Sequence, residues 1–296
     1  MQDQVIPADT SSFPKSHPGY RSITLNSSGD ADTSALAGIP LVEEIALAIS
    51  FGGLAHAVMM VTPVDLEDFV YGFALAEGVI EARPDILDLH WHCPEGDILT
   101  WQVDVTLTAR RQQAYRQDRR QRLGATGCGL CGVDSLERAL PELEKLPPAD
   151  LPPLDALGAW RSRIDELRPV GSVTGALHGV WLLPKDLHSD TPAIVREDIG
   201  RHNALDKLVG HSLRESISLY QRTLIISSRC SLELVQKAVR AGLSTLISLA
   251  SPSTLAVASA QRYGLTLIHL PRHGSPRVFS HAAHTITDME SGAHHE

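Results

Sequence analysis

The chain has 296 residues, of which 43% are hydrophobic, and its formal net charge is −9 at pH 7. This length supports one large or two ordinary domains with their own hydrophobic cores, so folding requires neither a disulfide nor a structural metal. The negative charge argues against general nucleic-acid binding, and no apolar run reaches the length of a membrane span. The first residues lack the charged-then-apolar order of a secretory signal, so we expect a cytoplasmic protein with neither nucleic acid nor membrane as a partner.

The N-terminal half begins with a polar stretch and continues with a hairpin pattern. Residues 1–38 are rich in Ser, Asp, Thr, Gly and Pro, which predicts a disordered tail. In "EIALAISFGGLAHAVMMV" two alternating apolar runs flank Gly52–Gly53, which predicts a β-hairpin with one buried face. A helix should follow, with Thr62 as its N-cap, Pro63 in its first position and Gly78 at its end.

An arginine-rich segment precedes the most unusual motif of the chain. After two predicted strands near 86–92 and 98–108, "ARRQQAYRQDRRQR" leads into the loop "GATGCGLCG", residues 124–132. The six arginines of this segment are Arg110, Arg111, Arg116, Arg119, Arg120 and Arg122. We assign residues 39–145 to a smaller, β-rich N-terminal domain that carries this loop.

The C-terminal half has a different sequence pattern. "KLPPADLPPL" has four prolines and lacks the hydrophobic periodicity of a helix or a strand, so we predict a linker over 146–158. Over 159–282, short β-rich runs alternate with helical segments, which predicts an α/β domain with a mostly parallel sheet. Residues 283–296 read as a polar tail. For the whole chain we expect a smaller, β-rich N-terminal domain and a C-terminal α/β domain, which together give an α+β fold.

Ligands of open α/β sheets bind at the carboxyl ends of the strands, and the turns there carry polar side chains. Arginines, hydroxyls and helix N-termini together are typical of phosphate binding, so we predict a polyanionic ligand along this edge. The turns include Asp198, Arg201, His202 and Asn203 after one strand, Ser228, Arg229 and Ser231 after another, Ser253 after a third, and Arg272, His273 and Gly274 after the last. The hydroxyls of Ser231 and Ser253 are also explained as helix N-caps. The chain has neither a G-x-G-x-x-G nor a P-loop motif, which argues against ordinary NAD and NTP sites.

The pair Cys128 and Cys131 allows three interpretations in a reducing compartment. In a zinc or iron–sulfur site, it would need further ligands from "HWHC" at 90–93, Cys230 or another histidine. A dithiol oxidoreductase usually places C-x-x-C at a helix N-terminus after a strand, which this pair does not follow. A transfer thiol is the third interpretation, because nearby arginines would lower the thiol pKa and glycines would let the loop approach a partner.

Four long motifs resemble one known family. In chain order they are "GATGCGLCGVDSL", "PVGSVTGALH", "VREDIGRHNALDKLVG" and "SSRCSLELVQKA". In this order and at these distances they are similar to the FdhD family of formate dehydrogenase accessory proteins, from about Val42 to about Ser280. The resemblance implies a sulfurtransferase, or sulfur carrier, that takes persulfide sulfur from a cysteine desulfurase. It passes the sulfur to the molybdenum cofactor, bis(molybdopterin guanine dinucleotide), before the cofactor enters formate dehydrogenase.

The resemblance also implies roles for particular residues. Cys128 is the persulfide cysteine, and Cys131 is its partner thiol. The cofactor-binding segment near the last strand comprises Leu270, Pro271, Arg272, His273, Gly274 and Ser275. Ser275 departs from the family pattern, which commonly has arginine there, and Cys230 stands where a small residue without a thiol is usual. The C-terminal domain is expected to resemble the cytidine deaminase fold.

From the residues and the resemblance together, the predicted cofactor-binding set also includes Arg201, His202, Ser228 and Arg229. Asp198, Arg201 and His202 are expected to position phosphates or the loop rather than to act as acid or base. We predict no permanently bound metal and treat a homodimer as one oligomeric state to consider. The alternative function is a zinc-dependent nucleotide- or pterin-binding protein without transfer chemistry.

Overall fold

The computed structural model describes residues 19–25, 36–93, 100–125 and 140–281. The strands in these ranges are β1 (Tyr20–Leu25), β2 (Leu36–Val42), β3 (Ile45–Phe51), β4 (Leu54–Val61), β5 (Ile86–His92), β6 (Thr100–Leu107), β7 (His178–Leu182), β8 (Ile194–Asp198), β9 (Thr223–Ile226), β10 (Thr245–Ser248), β11 (Thr266–His269) and β12 (Arg277–Ser280). The helices are α1 (Leu66–Ala76), α2 (Ala109–Ala125), α3 (Leu154–Arg163), α4 (Gly171–Thr174), α5 (Arg201–Arg214), α6 (Leu232–Arg240) and α7 (Thr254–Tyr263). A short 3-10 helix covers Arg83–Asp85. Among these described helices none is long and apolar enough to cross a membrane.

The chain divides into two compact units, and each draws on several stretches of sequence. The first unit is formed from Met1–Glu142, Ile164–Val180 and Ile194–Ile217, and the second from Leu143–Arg163, Trp181–Ala193 and Ser218–Glu296. This division differs from the predicted domains, because two stretches of the predicted domain 159–282 pack with the N-terminal half. The predicted α+β class fits the mixture of sheets and helices.

The first unit contains a four-stranded sheet in the order β4-β3-β6-β5. Its central strands β3 and β6 are parallel, and the outer strands pair antiparallel with them. The predicted hairpin is confirmed, since β3 and β4 flank a turn at Gly52 and Gly53 with φ of 55° and 77°. Alternate residues of β3 are buried from Ile45 to Phe51, as one buried sheet face requires.

A separate two-stranded sheet in the first unit differs from the predicted disordered tail. Strands β1 and β2 pair antiparallel, with Tyr20 opposite Val42, and both include residues from the predicted tail 1–38. An ion pair between Arg21 and Glu43, 2.7 Å apart, supports this pairing. The polar composition that predicted disorder therefore did not exclude local strand pairing.

Helix α1 starts later than predicted. It begins at Leu66 with Asp65 as its N-cap residue, and the backbone of Asp65 is left-handed at φ 53°. Thr62 was predicted to be the cap, but its amide and hydroxyl bond to another part of the first unit, 136 to 137 residues away. Because that partner is distant in sequence, the local capping pattern could not reveal it.

The second unit contains the alternation of strands and helices expected for an α/β domain. Strands β9, β10 and β11 are parallel, and β12 joins antiparallel to β11. Within the second unit these strands lie in the order β12-β11-β10-β9. Every residue of β9, β10 and β11 is buried, which is typical of a sheet covered on both faces. The predicted likeness to the cytidine deaminase fold stays a prediction.

The proline-rich stretch differs from the linker predicted over 146–158. The amide of Leu146 donates to the carbonyl of Tyr263 at 2.8 Å, and the hydroxyl of Tyr220 donates to the carbonyl of Pro148 at 3.0 Å. Helix α3 then begins at Leu154 and buries Ala156, which lies within the same stretch. All of these residues belong to the second unit, so the stretch is hydrogen-bonded into that unit.

Candidate functional site

The carboxyl ends of the parallel strands form one edge of the second unit. Ile226 at the end of β9 pairs with Ser248 at the end of β10, which pairs in turn with His269 at the end of β11. The turns that follow are connected by backbone hydrogen bonds, such as that from the Ser253 amide to the Cys230 carbonyl at 3.1 Å. The register therefore places the turns after β9, β10 and β11 at this common edge.

The predicted cofactor residues of the second unit all lie in these turns. Ser228 is buried, and its hydroxyl donates to the carbonyl of Arg229 at 3.0 Å. The side chain of Arg229 is exposed. In the turn after β11, Leu270 is buried, Pro271 is half-buried, and Arg272, His273, Gly274 and Ser275 are exposed. The edge thus presents two guanidinium groups from turns that are two strands apart, and phosphate accepts hydrogen bonds from such groups.

Two further polar residues at this edge were not singled out from the sequence. Ser248 is fully buried and His269 is 7% exposed, and among the described residues neither Ser248 Oγ nor His269 Nδ1 has a hydrogen-bond partner. Burial lowers the pKa of His269, and the positive charge of Arg277 lowers it further. The sequence signal was present, since each residue is a polar side chain that directly follows the apolar pair Leu-Ile at the end of its strand.

The predicted N-caps at this edge have different outcomes. Ser253 caps α7 as predicted, with its hydroxyl accepting from the Ala256 amide at 3.2 Å. Ser231 occupies the N-cap position of α6, but its side chain forms no capping hydrogen bond. The position of both helix starts is therefore confirmed, and the hydroxyl contact only at α7.

Arg201 and His202 belong to the first unit, where they begin α5. Both are half-buried, and they follow directly on Asp198 and Gly200 at the end of β8. Asp198 was expected to help position phosphates or the loop. It is fully buried and accepts hydrogen bonds from the Gly200 amide and from Asn203 Nδ2, so it holds the turn before α5, and the expected role toward phosphates or the cysteine loop stays a prediction.

His178 lies in the positive field of this part of the first unit. Burial lowers the pKa of His178, and the charges of Arg201 and Arg168 lower it further, against a smaller opposing effect of Asp198. Arg168 is held by Glu197, with its Nε 3.1 Å from the carboxylate. The start of α5 therefore combines an arginine, a helix N-terminus and positive potential, which together favour an anion.

Helix α2 uses part of its arginine-rich sequence for structural contacts. Arg110 and Arg111 form ion pairs with Glu81 at 2.8 Å and 2.6 Å, and Arg111 also donates to the carbonyls of Gly78 and Val79. Arg119 donates to the Ala55 carbonyl at 2.6 Å. These three side chains attach the helix to the sheet hairpin and to the segment after α1. The expected electropositive cluster is thus partly occupied by contacts within the first unit.

Two of the four cysteines lie among the described residues, and these two differ in exposure. Cys128 and Cys131 lie outside the described residues. Cys93 is exposed, whereas Cys230 is 1% exposed, and burial raises the pKa of its thiol to about 12. A thiol with such a pKa is protonated at neutral pH and is a poor nucleophile. Within the part of the chain that the structure describes, no three His, Cys, Asp or Glu side chains are grouped to hold a metal ion.

Comparison with known proteins defines the class to which this α+β fold and its candidate sites belong. A structure from Desulfotalea psychrophila, described as that of a formate dehydrogenase accessory protein, matches 88% of this chain and 96% of its own. The two share 24% sequence identity with a TM-score of 0.64, so the likeness establishes the fold. The model of the FdhD/NarQ family matches residues 42–286. Because this match covers most of the chain, the protein belongs to the FdhD/NarQ family.

Proposed function

We propose that this protein is a sulfurtransferase that serves formate dehydrogenase maturation, with a cysteine desulfurase as sulfur donor and bis(molybdopterin guanine dinucleotide) molybdenum cofactor as acceptor. The observation that carries the proposal is the family match over residues 42–286, a range that includes the C-x-x-C pair. The related structure described as a formate dehydrogenase accessory protein supports the choice of client enzyme.

The first step is thiol exchange at Cys128. Its thiolate attacks the terminal sulfur of the desulfurase persulfide, a new S–S bond forms, and the desulfurase cysteine leaves as a thiolate. The product is a persulfide on Cys128. This step needs no external electrons, because one S–S bond replaces another.

The second step delivers the sulfur to the cofactor. If the Cys131 thiol attacks Cys128, a disulfide forms and the terminal sulfur leaves as sulfide, which replaces an oxygen ligand of molybdenum with loss of water. The two electrons that reduce the sulfur then come from the two cysteines. Alternatively, Cys131 only stabilises the persulfide; the Cys128 thiolate then leaves when the acceptor takes the sulfur, and the two electrons that reduce the sulfur would come from a reduced acceptor cofactor.

We assign one candidate anion site to the strand-end edge of the second unit and, separately, another to the start of α5 in the first unit. The guanidinium groups of Arg229 and Arg272 at the strand-end edge match a phosphate of a guanine dinucleotide arm, and the start of α5 by itself also favours a phosphate. Ser228 and the segment 270–275 complete the proposed binding set, together with Arg201 and His202.

Mass spectrometry of the loaded protein tests the proposal. After incubation with a cysteine desulfurase and cysteine, wild type should gain one sulfur atom on the peptide containing Cys128, and Cys128→Ala should gain none. Cys93→Ser is the matched control and should load as wild type does, because Cys93 is exposed but lies outside the C-x-x-C motif. Cys131→Ala should still load but deliver sulfur poorly. If the purified protein instead holds one zinc ion per chain that is lost in Cys128→Ser, the zinc-dependent binding protein is favoured.

A further inference from the structure

The turn that connects β8 to α5 is held by a buried carboxylate. Asp198 is fully buried, and each of its two carboxylate oxygens accepts two hydrogen bonds. Oδ1 accepts from the Gly200 amide at 2.8 Å and from Asn203 Nδ2 at 3.0 Å, and Oδ2 accepts from the Thr62 amide at 3.0 Å and from Lys207 Nζ at 2.7 Å. All four donors lie in the first unit. The carboxylate thus fixes the backbone immediately before Arg201.

The ammonium group of Lys207 balances this carboxylate. Its side chain is fully buried, and besides Asp198 it donates to the carbonyls of Thr62 at 2.9 Å and Glu197 at 3.1 Å. The three protons of Nζ therefore have three acceptors. A buried carboxylate without such a partner would add negative charge close to the start of α5, whereas the pair is neutral.

Thr62 is the residue of this cluster that comes from elsewhere in the sequence. It lies after β4, is fully buried, and bonds with both its backbone groups to the Asp198–Lys207 pair. In addition, Thr62 Oγ1 accepts from the amide of Ile199 at 3.1 Å. One side-chain hydroxyl thereby satisfies a backbone amide of the turn, which would otherwise lack that acceptor.

We propose that Thr62 is a positioning residue, which acts through Ile199 and Asp198 to hold Arg201 and His202 in the orientation that binds an anionic ligand. The inference rests on the proposed function only in taking the phosphates of the cofactor as that anion. Thr62 itself touches no ligand. Its hydroxyl lowers the cost of binding because the turn is already ordered before the ligand arrives.

The test compares two substitutions of Thr62. Thr62→Val removes the acceptor for the Ile199 amide but keeps the shape of the side chain, whereas Thr62→Ser keeps the hydroxyl. With guanosine diphosphate as the probe, calorimetric titration of the full chain should show affinity weakened roughly three- to tenfold in Thr62→Val, which lies in the lower part of the range for coupled contacting residues. Thr62→Ser should bind within about twofold of wild type. Sulfur loading of Cys128 should be the same in all three proteins.

A double substitution distinguishes positioning from general stability. Arg201→Ala should weaken binding, and the loss in the double variant with Thr62→Val should be smaller than the sum of the two single losses, because one of the two residues that Thr62 positions is gone. A purely structural role would lower the unfolding temperature of Thr62→Val but leave the affinity of the folded protein unchanged. That result, or losses that add fully in the double variant, would overturn the inference. Wild-type affinity in Arg201→Ala would instead overturn the proposed phosphate contact at α5.

Discussion

At the scale of single residues, the surroundings of His178 shift its pKa. Its pKa is held below the ordinary 6.5 by burial and by two guanidinium groups, Arg201 and Arg168. The unfolded chain therefore binds a proton at this position more readily than the folded protein does. It follows that the contribution of His178 to stability is lost as the pH falls through 6.5 and does not change further below the folded pKa.

A bound phosphate should reverse this shift. If the start of α5 receives a phosphate of the cofactor, the negative charge favours the protonated imidazole, so the pKa of His178 should rise when guanosine diphosphate binds. NMR titration of the ring protons with and without nucleotide measures this directly. Arg201→Ala provides the control, since removing one of the guanidinium groups should raise the pKa of His178 in the free protein. An unchanged pKa on saturation with nucleotide would place the phosphate elsewhere.

At the scale of elements, helices α1 and α5 approach closely through two glycines of the first unit. A Cβ atom built on Gly72 would lie 1.8 Å from the carbonyl oxygen of Asp206, and one on Gly210 would lie 1.8 Å from that of Asp68. Ion pairs flank this crossing, with the buried Asp68 carboxylate bonded to Arg196 and Arg214. Because the obstructing atoms belong to the backbone, the helices themselves would have to move to admit a methyl group.

Gly210→Ala should therefore destabilise the protein, although alanine favours helices. We expect the free energy of unfolding in urea to fall by about 1–3 kcal/mol or more, the usual cost of overpacking. Gly158→Ala is the matched control, since Gly158 lies in α3 and a Cβ there meets no atom of the described residues within 4 Å. That substitution should raise stability by about 0.5–1 kcal/mol. Equal effects of the two substitutions would contradict the close helix crossing.

The elements also show which parts of the fold the sequence could predict. The β3–β4 hairpin and the helices α5, α6 and α7 were predicted because their signals are local, namely alternation around two glycines and apolar periodicity. The start of α1 was predicted wrongly because Thr62 bonds to Ile199 and Asp198. Strands β7 and β12 were missed because the prediction rested on strands that alternate with helices, and no described helix separates β7 from β8 or β11 from β12. The burial of Asp198 with Lys207 involves Thr62, which is distant in sequence, so it could not be predicted from local spacing.

For the whole molecule, the threading of the chain has a direct consequence. The chain passes between the two units after Glu142, Arg163, Val180, Ala193 and Ile217. The predicted C-terminal domain 159–282 includes β8 and α5, although these two elements pack in the first unit. A fragment of residues 159–282 would expose the face of α5 that α1 covers through Gly72 and Gly210.

We expect that fragment to aggregate or to lack a cooperative unfolding transition, because an exposed apolar helix face favours association. Circular dichroism during thermal unfolding, alongside size-exclusion chromatography, measures both properties. The full chain is the control and should unfold cooperatively. A monomeric fragment with a sharp transition would show that the predicted boundary defines an independent domain after all.

The proposed division of labour between sulfur acceptance and cofactor binding can also be tested on the intact protein. Arg229 and Arg272 are exposed and occupy turns at the same strand-end edge of the second unit. Replacing either with alanine removes a charge-assisted hydrogen bond worth about 1.5–3 kcal/mol, so the affinity for guanosine diphosphate should fall roughly ten- to a hundredfold. Exposure of the side chains predicts little loss of stability.

Sulfur loading of Cys128 in the same two variants should equal that of wild type, because this step requires the thiol and the desulfurase rather than the cofactor. Each variant is therefore measured twice, by nucleotide titration and by mass spectrometry after desulfurase treatment. Arg262→Ala, an exposed arginine of helix α7, is the control and should change neither measurement. Unchanged nucleotide affinity in both Arg229→Ala and Arg272→Ala would show that this edge does not bind the phosphates. Simultaneous loss of binding and loading would contradict the separation of the two steps.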